Sequence, residues 1–508
     1  MQNHILEYLD ETVRRVPDKL AFGGGTDKDG MTFAQVDKAS RAIGSFLAAR
    51  GLFKAPVVVF MNRHPSAVAA FLGVLQGGCY YVPIDEEMPR SRIDLILENL
   101  HPQGILCDES TLDTARTFDF AGELWLYKEL AQTPVEDTAL AAVRARTIDT
   151  DPVYVYFTSG STGIPKGVAS SHRALIGYIE QLSEVLELSE DTVFANQTPL
   201  YFDASLKDIF PTLKWGATAY IVPKSLFKFP MQTLDFLIDR KVNTLCWVVS
   251  ALTMLSAFGA LQEKPPTALR RVAFVGEVFP VRQFNIWKRT LPEVRFTNLY
   301  GPTEGTGICC YYHADREFAP EEAIPIGRPL KNTEILLLTD ENKPAEPGEQ
   351  GEICIRGTCL SLGYINDPER TAAVFVQNPL NTAYPELIYR TGDIGRWNEA
   401  GELMFVSRRD FQIKHMGHRI ELGEIEVNAN RIDGVRSSGC IYDREKDRII
   451  LFYTGETTEK ELTVQLKQKL QRYMLPNVTK RLEAMPLTAT GKIDRVKLKE
   501  IYETERKK

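Results

Sequence analysis

Three consecutive stretches near the start of the chain constrain its fold most. "APVVVFMN" is a short apolar run ending in polar residues. "HPSAVAAFLGVLQGG" has apolar positions at helical spacing and a Gly stop, and "CYYVPI" is again strand-like. Strand, helix and strand in that order make a crossover unit, and a crossover joins parallel strands. The same rhythm returns in "NTLCWVV", "SALTMLSAFGAL" and "RRVAFVG". The first four-fifths of the chain therefore reads as α/β, with layered subdomains and mainly parallel sheets. It contains no repeat of fixed period and no low-complexity tract.

The pattern changes near residue 410. "GEIEVNANRIDG" and "EKELTVQLKQKLQRYML" read as helices, and "VRSSGCIYD" and "RIILFYTG" as strands. This predicts a small α+β domain over 410–508 beside a large one over 1–409. A chain of 508 residues exceeds one ordinary hydrophobic core, which agrees with two or more domains. The join, "VSRRDFQIKHMG", is charged and lacks a Pro/Gly/Ser linker, so a hinge is expected there rather than a loose tether.

Bulk properties exclude several classes. A net charge of -7 argues against bulk binding to nucleic acid or to an anionic membrane. The N-terminal stretch carries acidic residues, unlike a signal peptide, and no apolar run approaches a membrane span. The eight cysteines form no C-x-x-C pair and no zinc spacing, so reduced thiols in a cytoplasmic protein are expected.

The chemistry-bearing stretches come next. "YFTSGSTGIPKG" (156–167) is rich in hydroxyls and glycines around Lys166. It has neither the spacing nor the final hydroxyl of a Walker loop. Such a loop can offer N–H and hydroxyl donors to a phosphate, and it can equally be a polar surface loop. "NLYGPTEGTG" (298–307) brings an aromatic, a hydroxyl and a carboxylate together: Tyr300 could stack on a base, Thr303 could meet a phosphate, and Glu304 could hold a hard cation. "YRTGDIGRW" sets Asp393 after a Gly turn, where it could accept two ribose hydroxyls, and "GKIDR" carries Lys492 on a short loop.

Together and in this order, these stretches resemble the adenylate-forming superfamily. The likeness is to amino-acid adenylation domains of nonribosomal peptide synthetases and to D-alanine–carrier protein ligases. It covers nearly the whole chain, and "GGCYYVPIDEEMPRSRI", "YFDASLKDIF", "GEICIRGTCLSLGYINDPERTAAVF", "RRDFQIKHMGHRIELGEIE" and "LQRYMLPN" also fall in family order. The resemblance implies two half-reactions. A carboxylate first attacks the α-phosphate of ATP, giving an acyl-adenylate and pyrophosphate. The phosphopantetheine thiol of a carrier protein then takes the acyl group.

By family position, Lys492 bridges carboxylate and phosphate oxygens as the catalytic residue. Thr158, Ser159, Thr162 and Lys166 hold the β- and γ-phosphates, with Gly160, Ser161 and Gly163 also in the ATP site, and Glu304 positions Mg²⁺. Thr303 lies at the α-phosphate. Asn298 and Tyr300 hold adenine, with Leu299 and Gly301 also in the ATP site, while Asp393 and Arg408 take the ribose. Asp410 is the implied hinge about which a mobile C-terminal domain rotates, bringing Gly417 to the thiol tunnel. Ser407 stands where the family usually has Gly.

Asp203 is the implied partner of a substrate α-ammonium, with a helix N-cap as the alternative. The remaining pocket positions are Phe202, Ala204, Lys207, Cys246, Ala273, Val275, Gly276, Leu299, Gly307 and Ile308. Lys207 either meets a substrate carboxylate or carbonyl or snorkels to solvent. Val275 and Ala204 depart from the D-alanine ligase pattern, in which Cys and Leu are expected. The chain ends sixteen residues after Lys492 and contains no carrier attachment motif, so a separate carrier protein is expected as partner. Two other readings stay open: a ligase that uses coenzyme A as acceptor, and a non-catalytic ligand-binding regulator.

Overall fold

The computed structural model describes residues 2–160, 163–257, 259–409, 412–487 and 493–506. They form two compact units. The first comprises Met1–Glu86, Leu100–Tyr156 and Gly167–Arg409; the second comprises Glu87–Asn99, Phe157–Lys166 and Asp410–Lys508. Two short segments far upstream in sequence thus belong with the C-terminal region. Asp410 itself, the expected hinge, lies outside the described residues.

The expected crossover units are present. Pro56–Phe60 and Tyr80–Ile84 pair in parallel, joined by the helix Pro65–Gln76. That helix starts where the Nδ1 of His64 accepts from the N–H of Ser66, and it stops at Gly77, ahead of Gly78 at φ 69°. These strands lie in a seven-stranded sheet, with order Gly363–Tyr364, Lys166–Ser171, Pro152–Thr158, Tyr80–Ile84, Pro56–Phe60, Gly104–Cys107, Glu123–Leu126.

A nine-stranded sheet carries the site. Its parallel heart runs Arg295–Tyr300, Arg271–Val275, Thr244–Val248, Val193–Asn196, Thr218–Ile221, Leu20–Gly23. Alternation along these strands feeds two cores. Cys246, Ala273, Val275 and Leu299 join one with Tyr178, Leu206 and Ile209. Trp247, Val272, Phe274 and Phe296 join the other. Strand order reverses once. From Val193–Asn196 the chain moves to Thr218–Ile221 on one side, then to Thr244–Val248 on the other. Such a switch point opens a crevice at the carboxyl ends of the strands.

Two features differ from expectation. Residues 333–408 form an antiparallel five-stranded sheet instead of continuing the crossover rhythm. The stretch "EKELTVQLKQKLQRYML" is helical only over Glu459–Leu466. Leu462, Leu466, Leu470 and Met474 keep their four-residue spacing and are all buried, while the backbone beyond Leu466 tightens into turns and the 3₁₀ helix Arg472–Met474.

The second unit packs the helices Leu422–Asn430 and Glu459–Leu466 on the sheet Val435–Asp443, Arg448–Gly455, Val478–Arg481. A hairpin pairs Gln412–His415 with His418–Glu421 through Met416 and Gly417, at φ 52° and 79°. Two positive φ values in a two-residue loop match the right-handed twist of the flanking strands. Among the described residues no helix is long and apolar enough to cross a membrane. All eight cysteines are buried free thiols.

Candidate active site

In the first unit, the segment after Val193–Asn196 enters the switch-point crevice. Asp203–Ser205 is a 3₁₀ turn that leads into the helix Leu206–Trp215. Asp203 lies inside this turn, and Ser205 holds the N-cap position of the helix, so Asp203 is not the helix cap. The Thr303 hydroxyl and the Ala204 N–H lie near enough to its carboxylate to favour the charged form. Burial raises its pKa, and Glu304 adds to the rise; Lys207 and the two donors oppose it. Burial raises the pKa of three tyrosines near Asp203, Tyr154, Tyr156 and Tyr178, and the Asp203 charge adds to each rise.

Lys207 sits one helical turn on, at 1% exposure, which rules out a snorkelling lysine. Burial lowers its pKa, and Cys246, Asp208 and Asp203 counter that. No ion pair within 4.0 Å involves Lys207 among the described residues. Asp208 belongs to another network. Its Oδ2 accepts from Asn196 Nδ2 at 2.9 Å, and Asn196 Oδ1 accepts from Arg63 Nη2 at 2.9 Å. Burial raises Asp208 to about 7 and lowers Arg63 to about 10.

The floor of the crevice is set by register. Cys246 pairs with Ala273, and Val275 pairs with Leu299. A side chain at Gly276, at φ 97°, would meet nothing within 4 Å. Beyond Tyr300 the chain folds back on itself: Cys309 N–H donates to Tyr300 O at 2.7 Å. A Cβ on Gly301 would lie 2.6 Å from the Cα of Ile308, so only glycine permits this approach. Thr306 and Gly307 make the turn at φ 53° and 91°. The fold-back sets Thr303 against Asp203 and leaves Glu304 fully buried, its Oε1 accepting from the Tyr364 hydroxyl at 2.7 Å. One buried carboxylate is a donor set that suits Mg²⁺, which takes few protein ligands and completes its shell with phosphate and water. No cluster of three His, Cys, Asp or Glu occurs among the described residues.

A second group lies on the antiparallel sheet. Asp393 and Arg408 are register partners, and the Arg408 guanidinium pairs with Asp393 Oδ1. Tyr300 donates its hydroxyl to Asp393 Oδ2 at 2.5 Å. Each oxygen of the carboxylate thus has one protein donor, and each keeps a lone pair. Asn298 Nδ2 donates to Pro325 O at 2.8 Å.

The Ser/Thr/Gly loop belongs to the second unit. Ser159 Oγ donates to Arg419 O at 2.7 Å, and Gly160 N–H donates to Glu424 Oε2 at 3.2 Å. Glu424 Oε1 accepts from Arg92 Nη1 at 2.5 Å, with both side chains almost fully buried. Thr158 Oγ1 is buried without a hydrogen-bond partner among the described residues. Gly163 turns the loop at φ 77°. Ser161, Thr162 and Lys492 lie outside the described residues.

Comparison with known proteins decides the family: residues 9–365 match the family described as AMP-binding enzyme. The chain belongs to that family. Zwittermicin A synthase ZmaJ of Bacillus cereus is 32% identical to this AMP-binding enzyme, over 97% of the chain and 94% of the relative. Tyrocidine synthase 1 of Brevibacillus parabrevis is 31% identical over 98% of the chain, which spans 45% of that protein. The chain spans less than a fifth of the mycosubtilin and plipastatin synthase proteins of Bacillus subtilis that it matches. Among solved structures, holo-PA1221, an NRPS protein containing adenylation and PCP domains, matches with a TM-score of 0.81 at 25% identity, over 97% of this chain and 84% of that one. IdnL1 matches with a TM-score of 0.80 at 27% identity, over 95% and 99%. This AMP-binding enzyme is an adenylation domain of nonribosomal peptide synthetase type, with mixed α/β architecture and a small α+β C-terminal region.

Sequence reasoning passed over Arg63, Asn196, Asp208, the three tyrosines around Asp203, and the Arg92–Glu424 pair. Arg63 was within reach of it, because it follows the carboxyl end of a parallel strand, where such folds bind ligands.

Proposed function

We propose that this adenylation domain activates a free amino acid with ATP and passes it to a carrier-protein thiol. The observation that carries the reading is Asp203, a buried carboxylate in the turn that follows the switch-point strand, close to Thr303 and with no ion pair among the described residues. An α-ammonium is the complementary group. A fatty or aryl acid would leave that carboxylate without a counter-charge.

In the first half-reaction a substrate carboxylate oxygen attacks the α-phosphorus. The new P–O bond forms as the bond to the bridging oxygen breaks, and pyrophosphate leaves. Charge gathers on the α-phosphate oxygens in the transition state, so fixed donors there accelerate the step. Thr303 and Lys492 are the groups we assign to it. Asp393 and Arg408 take the ribose, with Asn298 and Tyr300 at the base. Thr158, Ser159, Gly160 and Lys166 take the leaving phosphates, and the partnerless Thr158 hydroxyl suits an anionic acceptor. Mg²⁺, held by Glu304, would supply charge neutralisation on the phosphates. In the second half-reaction a thiolate sulfur attacks the acyl carbon, the C–O bond to AMP breaks, and a thioester forms. We assign the hinge for the change between them to Asp410, and Gly417 to the loop that serves the thiol. The acceptor is the phosphopantetheine of a carrier protein.

The test is ATP–pyrophosphate exchange dependent on amino acid, in wild type and in Asp203→Ala. We expect exchange with at least one amino acid, and a loss of about 10²–10³ in Asp203→Ala, the range for removing one preorganised charge-stabilising group. Exchange with only aryl or fatty acids would overturn the amino-acid reading. Full activity in Asp203→Ala would remove Asp203 from substrate binding.

A further inference from the structure

The helix Leu206–Trp215 continues from the turn that holds Asp203. Its far end leans on the helix Glu7–Arg15, near the start of the chain. An α-helix ends in four carbonyls that lack an intrahelical donor. Here they belong to Thr212 through Trp215. Thr212 O accepts from the N–H groups of Gly216 and Ala217, at 3.0 and 3.2 Å. The others turn to the N-terminal helix. Thr12 Oγ1 donates to Leu213 O at 2.7 Å, with Lys214 O beside it at 3.4 Å. Arg15 Nη2 donates to Trp215 O at 2.7 Å, and its Nη1 pairs with Glu190 at 3.3 Å. Gly216, at φ 71°, lets the two helices meet: a Cβ there would lie 2.9 Å from Arg15 Nη2. Tyr8, one turn before Thr12, donates to Glu180 Oε1 at 2.6 Å, and the other oxygen of Glu180 pairs with Lys214.

These bonds do what apolar packing does not. Leu206, Ile209, Phe210 and Leu213 lie in the same core as Tyr8 and Leu9. Packed helices can still slide past one another by small amounts. Carbonyls bonded to fixed donors on a neighbour set the helix in one axial position. That position reaches the other end of the helix. Pro211 removes the rung at the carbonyl of Lys207, and Thr212 Oγ1 spans the same turn by donating to Asp208 O at 2.7 Å. We infer that Thr12 and Arg15 are positioning residues for Asp203. They hold the end of its helix and so set where its carboxylate stands, although neither touches the crevice. A misplacement of about 1 Å at a group that orients substrate can cost about 100-fold in rate.

The inference rests on the reading that Asp203 receives the substrate ammonium, and its test separates the two. ATP–pyrophosphate exchange is measured with whichever of the twenty standard amino acids gives the fastest exchange in wild type. KM is determined for that amino acid and for ATP, and melting temperature is followed alongside. In Thr12→Val the amino-acid KM is expected to rise about tenfold, the size for a buried acceptor left without its donor, while the ATP KM holds. Thr12→Ser keeps the hydroxyl and should restore the wild-type KM. In Asp203→Ala, adding Thr12→Val should raise the amino-acid KM no further, because the group it positions is gone. A contact that serves stability alone would lower the melting temperature and leave both KM values unchanged. That result, or an equal rise in both KM values, would overturn the inference and leave amino-acid activation standing. If Thr12→Val does not fold, Arg15→Gln decides on the same comparison, since the Arg15 side chain is about half exposed; a rise of about threefold is expected. Exchange with no amino acid, or full activity in Asp203→Ala, would overturn the underlying reading and this inference with it.

Discussion

In the first unit the residues around Asp203 are placed by the backbone. Cys246, Ala273 and Val275 lie on adjacent parallel strands whose register fixes where each Cβ points, and a large core backs them. In the second unit the Ser/Thr/Gly loop is placed by polar side chains. Ser159 reaches a carbonyl at Arg419, and Glu424 joins Gly160 to Arg92. The difference teaches where each unit is fragile. Exchanging a side chain at a strand end alters what the crevice accepts and leaves the ladder intact. Exchanging one member of a buried charged joint leaves the other buried and unpaired.

Arg92→Ala should make the sharpest break. It strands the Glu424 carboxylate, whose pKa burial already raises and Arg92 lowers. The expected cost is about 3–5 kcal/mol, the usual range for breaking a buried ion pair from one side. Hydrogen exchange should rise over 157–166 and 422–430 and stay unchanged over 244–300. Adding Glu424→Gln should recover part of the loss, because the charge is then gone as well. Additive effects in that double-mutant cycle would mean that the two side chains do not work as a pair.

Acid should weaken both units. Burial lowers His172 in the first unit and His418 in the second to about 3, from an ordinary value near 6.5. Below pH 6.5 the unfolded chain binds protons at these sites and the folded chain does not. Stability therefore falls as pH falls from about 6.5 towards 3, and this contribution is fully present above 6.5. His418 stacks on Tyr473, with ring centroids 3.5 Å apart and planes at 5°. His418→Phe keeps a flat ring there and should reduce the drop in melting temperature between pH 7.5 and pH 5. An unchanged drop would remove His418 as a source of acid sensitivity.

Gly163→Ala should give the smallest effect. A Cβ there lies 2.9 Å from Val427 Cγ1, on a backbone at φ 77°. The left-handed conformation alone costs about 1–2 kcal/mol for a residue with a Cβ. The variant should lose about that much in urea unfolding, and an unchanged midpoint would show that the loop readjusts freely.

Much of the first unit was legible in the sequence because its signals are local. The switch-point strands are apolar runs with Gly, Pro or polar stops, and Asp203 stands in a motif that a parallel sheet delivers to its carboxyl edge. The antiparallel sheet over 333–408 was less legible, because motif residues such as Asp393 interrupt its alternation. Least legible was the joint of the second unit. Arg92 and Glu424 lie 332 positions apart, and each looks in the sequence like an ordinary surface charge on a helix. Two charged residues reveal burial only when a third element covers them both. The fate of Lys207 was hidden in the same way: periodicity placed it on a helix, and only the packed structure shows that its ammonium cannot reach water.

The fold-back at Gly301 has a consequence for descent. It returns the chain to the crevice, so Asp203, Cys246, Ala273, Val275 and Ile308 come from one unbroken stretch, to which Tyr154, Tyr156 and Tyr178 are added from upstream. The groups at Tyr364, Asp393 and Arg408 lie downstream of it. A single recombination between relatives that exchanges this block carries most of that surface into another chain, together with Asn298, Tyr300, Thr303 and Glu304, and leaves the downstream groups as they were. What the crevice accepts can therefore be inherited apart from the Asp393–Arg408 pair of the antiparallel sheet.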